Sequence, residues 1–150
     1  REKSPLLAKL DTDKFAVSGW SMGGGGAQEA ATMDPSLKAA VALCPWQPYR
    51  TFQHAVPVLI FGGQWDPTAA VAYNALPHYN KTPETTPKLY FEVAKGGHAI
   101  ANIPTNAQAE IGVMGLAWLK VYLQGDTSYT HLLLKKPETA SAYATNLESL

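Results

Sequence analysis

The sequence Phe15-Ala16-Val17-Ser18-Gly19-Trp20-Ser21-Met22-Gly23, with Gly24, Gly25 and Gly26 directly after it, carries the strongest structural signal in this chain. An apolar run that predicts a strand leads into Gly-x-Ser-x-Gly, and residues 27–32 after the glycines favour a helix. This context is typical of a nucleophile elbow, in which a sharp turn raises a serine Oγ above the end of a parallel sheet. Glycine neighbours allow the strained turn and the close approach of strand and helix. For the motif alone, a structural glycine-rich turn is the alternative.

Composition places the chain among ordinary soluble globular domains. The chain has 150 residues, of which 46% are apolar and 16% charged, so residues 1–150 form one domain. The formal net charge is zero, and we therefore expect no nucleic acid or anionic membrane surface as partner. Cys44 is the only cysteine, which excludes an intrachain disulfide and a thiolate metal cluster. We expect no metal and no organic cofactor.

The two ends of the sequence give further expectations. No apolar run approaches the length of about 20 residues that a membrane span needs. The chain starts Arg1-Glu2-Lys3, without an initiator Met and without the basic start and apolar run of a signal peptide. We therefore expect a processed, trimmed or partial chain.

Four short apolar segments predict buried strands that alternate with helices; they are residues 15–18, 39–43, 57–63 and 88–93. Helices are predicted at about 22–33, 69–75 and 107–123, and residues 4–10 resemble the end of another. The last helix is expected to bury one face, formed by Ile111, Leu116, Leu119 and Leu123. Residues 126–150 predict a partly irregular tail. The alternation predicts an α/β fold with a mostly parallel sheet of about four strands and flanking helices.

Three residues with complementary chemistry each follow a different predicted strand. Ser21, Asp66 and His98 should meet, because functional groups gather at the carboxyl ends of parallel strands. Their order along the chain is the one that nucleophile-elbow hydrolases use. Ser21 would be the nucleophile, His98 the general base and acid, and Asp66 the residue that orients the imidazole. The alternatives are a turn aspartate before Pro67 and a surface histidine; the other histidines look structural or exposed, namely His54, His78 and His131.

Groups beside the predicted nucleophile suggest how a substrate is held. The backbone N–H of Met22, directly after Ser21, would donate to the oxyanion of an acyl-transfer intermediate. Trp20 and Trp46 lie beside the proposed pocket and could stack on an aromatic substrate, with an ordinary core role as the alternative.

Several segments together resemble the bacterial cutinase and poly(ethylene terephthalate) hydrolase family, which are secreted serine esterases with the α/β-hydrolase fold. They are Gly19 to Gly26, Cys44-Pro45-Trp46, Pro57 to Asp66, Gly97 to Asn102 and Gly115 to Lys120. The likeness runs from about Leu10 to Tyr129 but matches only the C-terminal half of that family's catalytic domain.

The resemblance implies roles for individual residues. Ser21, Asp66 and His98 fall on the catalytic triad, and Met22 falls on one oxyanion donor. Trp46 falls on the mobile aromatic residue of the substrate cleft, and Asn102 matches a position on the cleft rim. Trp20, where many cutinases carry His, looks like the poly(ethylene terephthalate) hydrolase variant. The resemblance also implies secretion.

The departures from the family are equally informative. Gly63 and Ile100 stand where the poly(ethylene terephthalate) hydrolases join two cysteines, and the tail has no C-terminal disulfide. Nothing corresponds to the N-terminal half, which supplies the early strands, the second oxyanion N–H and one aromatic wall of the cleft. The strand at 15–18 should then lie at or near a sheet edge, which favours self-association. A self-sufficient small hydrolase, a homodimer through this edge and an incomplete gene product remain open.

These observations lead to one functional hypothesis with two rivals. We expect a serine carboxylester hydrolase that works through an acyl-enzyme on soluble esters, and on aromatic polyesters such as poly(ethylene terephthalate). One rival is another esterase or lipase of this fold, such as a dienelactone-hydrolase-like enzyme. The other rival is a non-catalytic fragment that retains the triad.

Overall fold

The structure is a computed structural model that describes residues 9–48 and 52–148. The strands are β1 (Ala16–Trp20), β2 (Ala39–Leu43), β3 (Val58–Gly63), β4 (Lys88–Val93) and β5 (Ala140–Thr145). The helices are α1 (Met22–Met33), α2 (Ala75–Lys81), α3 (Glu110–Tyr122) and α4 (Thr130–Leu134), with 3₁₀ turns at Ile100–Asn102 and Thr127–Tyr129. The helix end predicted at 4–10 falls mainly on residues 1–8, outside the described residues.

The strands form a single sheet in the order β1-β2-β3-β4-β5. The first four strands are parallel, and β5 pairs antiparallel with β4. This arrangement confirms the α/β class and the mostly parallel sheet. The fifth strand corrects the expectation of about four strands followed by an irregular tail. Small residues dominate β5, so its sequence carries little strand signal, and its pairing with β4, for example Phe91 with Tyr143, specifies the strand.

Both faces of the sheet are covered, which explains the continuous apolar strands. On one face, α3 packs Trp118, which is fully buried, against a core that includes Phe61 and Phe91, with ring centroids 5.6 Å apart. On the other face, a second apolar cluster joins β2, β3 and β4 to α1 and α2 through Ala31 and Ala75. Residues of a parallel strand that is covered on both sides must be apolar on both sides.

Strand β1 lies at one edge of this sheet, as the sequence predicted. Within residues 9–48 and 52–148 it pairs with β2 alone, and none of its five residues is fully buried. Phe15, directly before β1, is 49% exposed, and β1 lines an apolar groove together with Gly115 and Leu119 of α3. The edge therefore offers unpaired backbone groups beside apolar surface.

Helix α2 begins later than predicted. The sequence suggests a helix at 69–75 that ends before Pro77, but the helix spans Ala75–Lys81 and contains this proline. Proline is compatible with the first turn of a helix, because an N–H at that position has no intrahelical acceptor. Residues 69–74 instead form turns that bring the chain from the end of β3 to α2.

Helix α3 also differs from its prediction, in its start and in its buried face. It begins at Glu110, after a left-handed turn at 107–109 with φ of 51°, 55° and 66°. Its fully buried residues are Ile111, Met114, Ala117, Trp118 and Val121. The predicted face was right for Ile111 and, in part, for Leu119, but wrong for Leu116, which is 56% exposed. About 100° of rotation per residue puts Leu116 far around the helix from Ile111. No helix within the described ranges is long and apolar enough to cross a membrane.

Candidate active site

The turn between β1 and α1 holds Ser21 in a strained conformation. Its φ of 56° and ψ of −121° lie in a region that residues other than glycine rarely adopt. A Cβ on Gly19 would lie 2.0 Å from the backbone oxygen of Gly23, so only glycine lets the end of β1 pass so close to α1. Gly19 therefore has a steric function, whereas a Cβ on Gly23 would meet no atom within 4 Å. The turn projects Ser21 at the carboxyl end of the sheet.

The backbone of Ser21 is also a junction of hydrogen bonds. Its N–H donates to the carbonyl of Leu43 at 3.0 Å, and its carbonyl accepts from the N–H groups of Gly24, Gly25 and Trp46 at 2.9, 3.2 and 2.8 Å. The bond from Trp46 fixes the segment after β2 against the turn. Two neighbouring strand ends are thus joined at the serine.

A continuous chain of side-chain hydrogen bonds links three strand ends. His98 Nε2 lies 2.9 Å from Ser21 Oγ, and His98 Nδ1 lies 2.7 Å from Asp66 Oδ2. Asp66 is 5% exposed, whereas the His98 ring is only partly buried. A carboxylate on Nδ1 favours the tautomer whose Nε2 can accept a proton from the serine hydroxyl. The structure thus brings together the three residues that the sequence selected.

The second oxygen of Asp66 explains how the carboxylate is oriented. Oδ1 accepts the backbone N–H groups of Thr68 and Ala69, both at 2.8 Å. Asp66 therefore stabilises the turn at Pro67 with one oxygen and faces His98 with the other. A role in the turn does not exclude the predicted role of orienting His98. Sequence reasoning did not assign the two N–H donors, although Asp-Pro-Thr is a recognisable turn signal.

A family model described as PET hydrolase-like (PETase) matches residues 1–149 of this sequence. The chain belongs to this family. It is 39% identical to Cutinase est2 of Thermobifida alba over 137 residues, which are 91% of this chain and 45% of that protein. It is 39% identical over 138 residues to Cutinase 1 of Thermobifida cellulosilytica, covering 91% and 52% of the two chains. It is 34% identical over 136 residues to the bis(hydroxyethyl) terephthalate hydrolase of Streptomyces coelicolor, covering 90% and 43%.

This PET hydrolase-like chain spans about half the length of the curated relatives that it matches. The matched half includes all three members of the hydrogen-bonded chain at Ser21, Asp66 and His98.

The other predicted site residues follow or precede the three residues of this hydrogen-bonded chain at the carboxyl end of the sheet. Met22 is the first residue of α1, and an N–H at a helix start has no intrahelical acceptor; its side chain is 70% exposed. Trp20 and Trp46 are 44% and 39% exposed. Asn102 is exposed at the end of the 3₁₀ turn that follows His98. The tryptophans are therefore not ordinary core residues, and they leave aromatic surface open beside the serine.

Trp65, which directly precedes Asp66, is a further exposed tryptophan, at 65%. Its backbone N–H, which any residue but proline would supply here, donates to Gly96 O at 2.8 Å. We assign its side chain no role in catalysis or in substrate binding.

The cysteine and the three other histidines are not part of this hydrogen-bonded chain. Burial, followed by the charge of Asp66, raises the pKa of the Cys44 thiol to about 12, so this sulfur is not a nucleophilic thiolate. His54 and His78 are buried, and burial lowers the pKa of both rings, that of His78 to about 4. His131 is exposed. None of these three rings lies in the hydrogen-bonded chain at Ser21.

Proposed function

We propose that this protein is a serine carboxylester hydrolase that acts through an acyl-enzyme. The observation that carries the proposal is the hydrogen-bonded chain from Ser21 Oγ through His98 to Asp66, with distances of 2.9 and 2.7 Å. The cutinase and terephthalate-ester names of its relatives support the same chemistry.

The reaction would proceed in two balanced halves. Ser21 Oγ attacks the ester carbonyl carbon while His98 Nε2 takes the hydroxyl proton, and the same proton then passes to the leaving alcohol as the C–O bond breaks. Water next attacks the acyl-enzyme, again with His98 as the base, and the carboxylic acid leaves as Ser21 recovers its proton. Asp66 holds the imidazole and stabilises its cationic form without taking the proton itself.

The negative oxygen of each tetrahedral intermediate needs fixed donors. We assign one donor to the Met22 N–H, which directly follows the nucleophile. By resemblance to the family, the second donor comes from the N-terminal half of the catalytic domain. One such donor contributes about 10² to 10³ in rate.

For the substrate we propose esters with an aromatic acyl group, including aromatic polyesters such as poly(ethylene terephthalate). Trp20, Trp46 and Asn102 would bind this substrate, the two exposed indoles by stacking on the aromatic ring. The terephthalate ester in the printed name of one relative supports this choice.

A fluorophosphonate probe, which reacts with activated serines, tests the proposed function. We expect the wild type to be labelled and Ser21→Ala to be unlabelled. We also expect His98→Ala to lower ester turnover by about 10⁴-fold with little change in melting temperature. The exposed His131→Ala is the matched control and should retain turnover. Equal labelling of wild type and Ser21→Ala would contradict the proposal.

A substrate panel separates this proposal from the rival hydrolases. Turnover should be higher on short p-nitrophenyl esters and bis(hydroxyethyl) terephthalate than on long-chain p-nitrophenyl esters. A preference for long chains would indicate a lipase, and a preference for dienelactones would indicate the other esterase class.

We also propose a homodimer through the edge at β1 and a secreted protein. The dimer is supported by the side of β1 that has no partner strand in the described part of the chain, by exposed Phe15 directly before β1, and by the apolar groove that β1 forms with Gly115 and Leu119. Secretion is supported by the resemblance to cutinases. Fractionation of a culture that expresses the complete gene should place the protein in the medium; retention in the cell pellet would contradict secretion.

A further inference from the structure

The side chain of Trp20 makes two contacts that a substrate platform does not need. Its indole Nε1–H donates a hydrogen bond of 2.9 Å to the backbone carbonyl of His98. Its ring also packs against the His98 imidazole, with centroids 4.9 Å apart and planes at 43°. The residue next to the nucleophile therefore holds both the main chain and the ring of the neighbouring histidine.

The segment that carries His98 needs such support. Two glycines precede the histidine, and Lys95 before them has a left-handed φ of 56°. A Cβ at Gly97 would have no neighbour within 4 Å, so this part of the loop has open space around it. The loop is tied by Trp65 N–H to Gly96 O and by Ile100 N–H to Gly97 O, but these bonds do not hold the His98 carbonyl.

The hydrogen bonds of His98 show why its position matters. Its two ring nitrogens must meet Ser21 and Asp66 at the same time, at 2.9 and 2.7 Å. A rotation of the main chain at His98 would move both ring contacts together. The bond from Trp20 opposes this rotation, and because Trp20 directly precedes Ser21 it fixes the base relative to the nucleophile.

We propose that Trp20 is a positioning residue for the general base, in addition to any contact with substrate, because its indole N–H fixes the His98 carbonyl and its ring restricts the imidazole. This inference rests on the proposed hydrolase function. It also assigns a reason for tryptophan rather than phenylalanine at this place: a phenyl ring can restrict the imidazole but has no N–H to donate.

The test compares Trp20→Phe with Trp20→Ala on p-nitrophenyl acetate, an ester too small to need an aromatic subsite. We expect kcat to fall about fivefold for Trp20→Phe, the equivalent of one neutral hydrogen bond, with KM little changed. Trp20→Ala removes the ring contact as well and should lower kcat further. Trp65→Phe, at an exposed tryptophan of the same edge, should keep the wild-type values. Unchanged kcat in Trp20→Phe, or a change in KM alone, would overturn the positioning role.

A second measurement does not depend on ester turnover. The proton on His98 Nδ1, shared with Asp66, gives a low-field proton NMR resonance whose exchange with water reports how firmly the ring is held. We expect faster exchange in Trp20→Phe than in wild type and in Trp65→Phe, with melting temperatures that show all three proteins folded. Equal exchange in the three would overturn the inference even if the wild type had no esterase activity. Faster exchange without wild-type turnover would support positioning and contradict only the proposed function.

Discussion

At the scale of single residues, the turn at Ser21 depends on contacts that an added methyl group would destroy. Gly24 and Gly25 are also constrained, though less than Gly19, since a Cβ on them would approach Pro45 Cα to 2.9 Å and Gln47 Cβ to 2.5 Å. Gly23 and Gly26 are exposed, and a Cβ on either would have no atom within 4 Å. The glycine run therefore mixes residues that sterics require with two that have room for a side chain.

This contrast predicts opposite effects of two alanine substitutions. Gly19→Ala should lower the free energy of unfolding by about 3 kcal/mol or more, because the methyl group meets the rigid backbone of Gly23. Gly26→Ala should raise it by up to about 1 kcal/mol, because alanine is the better helix former. Urea unfolding followed by circular dichroism measures both. A Gly19→Ala variant as stable as the wild type would show that the close approach of β1 and α1 is not required.

At the scale of elements, buried polar side chains join helices to the strands and loops around them. His78 of α2 is 1% exposed; its Nε2 lies 3.0 Å from the carbonyl of Gln47, and its Nδ1 lies 2.6 Å from the side-chain amide of Gln28 in α1. Burial lowers the pKa of this ring to about 4. The ring is therefore neutral in the folded protein at neutral pH.

The lowered pKa of His78 predicts a loss of stability in mild acid. In the unfolded chain this histidine binds a proton at a pKa of about 6.5, whereas in the folded protein it does so only near pH 4. The free energy of unfolding therefore falls as the pH decreases through this window, by about 3 kcal/mol in total. We expect urea unfolding between pH 7 and pH 4 to show a steeper loss for the wild type than for His78→Gln. Parallel pH profiles would contradict the assignment.

Glu110 joins the start of α3 to the segment before β5. Its carboxylate accepts the backbone N–H groups of Glu138 and Thr139, at 2.7 and 2.9 Å, and the Thr139 hydroxyl. Burial by itself raises the pKa of Glu110, but the hydrogen bonds from Thr139 and Glu138 outweigh burial, and the pKa is lowered overall. Stability from this group is therefore present above the pKa of the unfolded chain and is lost as the pH falls through the folded pKa.

We expect Glu110→Gln to lower the free energy of unfolding by about 1 kcal/mol at pH 7, because an amide accepts these bonds less strongly than a carboxylate. The difference from wild type should shrink as the pH falls through the lowered pKa of Glu110, because the protonated carboxyl is neutral like the amide. Denaturant titrations at pH 7 and pH 3 measure it. Glu148→Gln, at an exposed glutamate near the end of the described chain, is the control and should have little effect.

At the scale of the whole molecule, the sheet of the described residues is covered on both faces and ends in two edge strands, β1 and β5. Strand β1 contains no charged residue, whereas exposed edges of natural sheets commonly carry lysine or another feature that blocks pairing. Parallel strands β2, β3 and β4 are paired on both sides within the described residues. The proposed dimer would place two copies of β1 side by side.

We therefore expect the 150-residue chain to self-associate at micromolar concentration. Ser18→Lys puts a charge on an exposed position of β1 and should shift sedimentation toward the monomer without changing the fold. Thr85→Lys, at an exposed turn position before β4, is the control and should sediment as the wild type does. A wild type that remains monomeric and melts cooperatively would contradict the dimer.

Elements whose sequence signals lie within the element itself were predicted well, and elements that depend on distant residues were not. Strands β1 to β4 and helix α1 were predicted close to their bounds, because an apolar run marks each strand directly and the Gly-x-Ser-x-Gly turn marks the start of α1. Helix α2 was misplaced because Pro77 is compatible both with the first turn of a helix and with the segment after a helix, and the local sequence does not distinguish the two. Strand β5 was missed because its residues become a strand only by pairing with β4.

The sequence alone determined the parallel α/β arrangement, the elbow at Ser21 and the choice of Asp66 and His98, because each depends on residue types at fixed distances from a strand end. Only the tertiary structure decided the distances between these side chains, the antiparallel position of β5, the buried face of α3 and the bond from Trp20 to His98. These features join residues far apart in the chain, 78 positions apart for Trp20 and His98, and no local pattern encodes a contact of that separation. The physical reason is that such contacts form only after the strand ends have been brought to the same edge of the sheet.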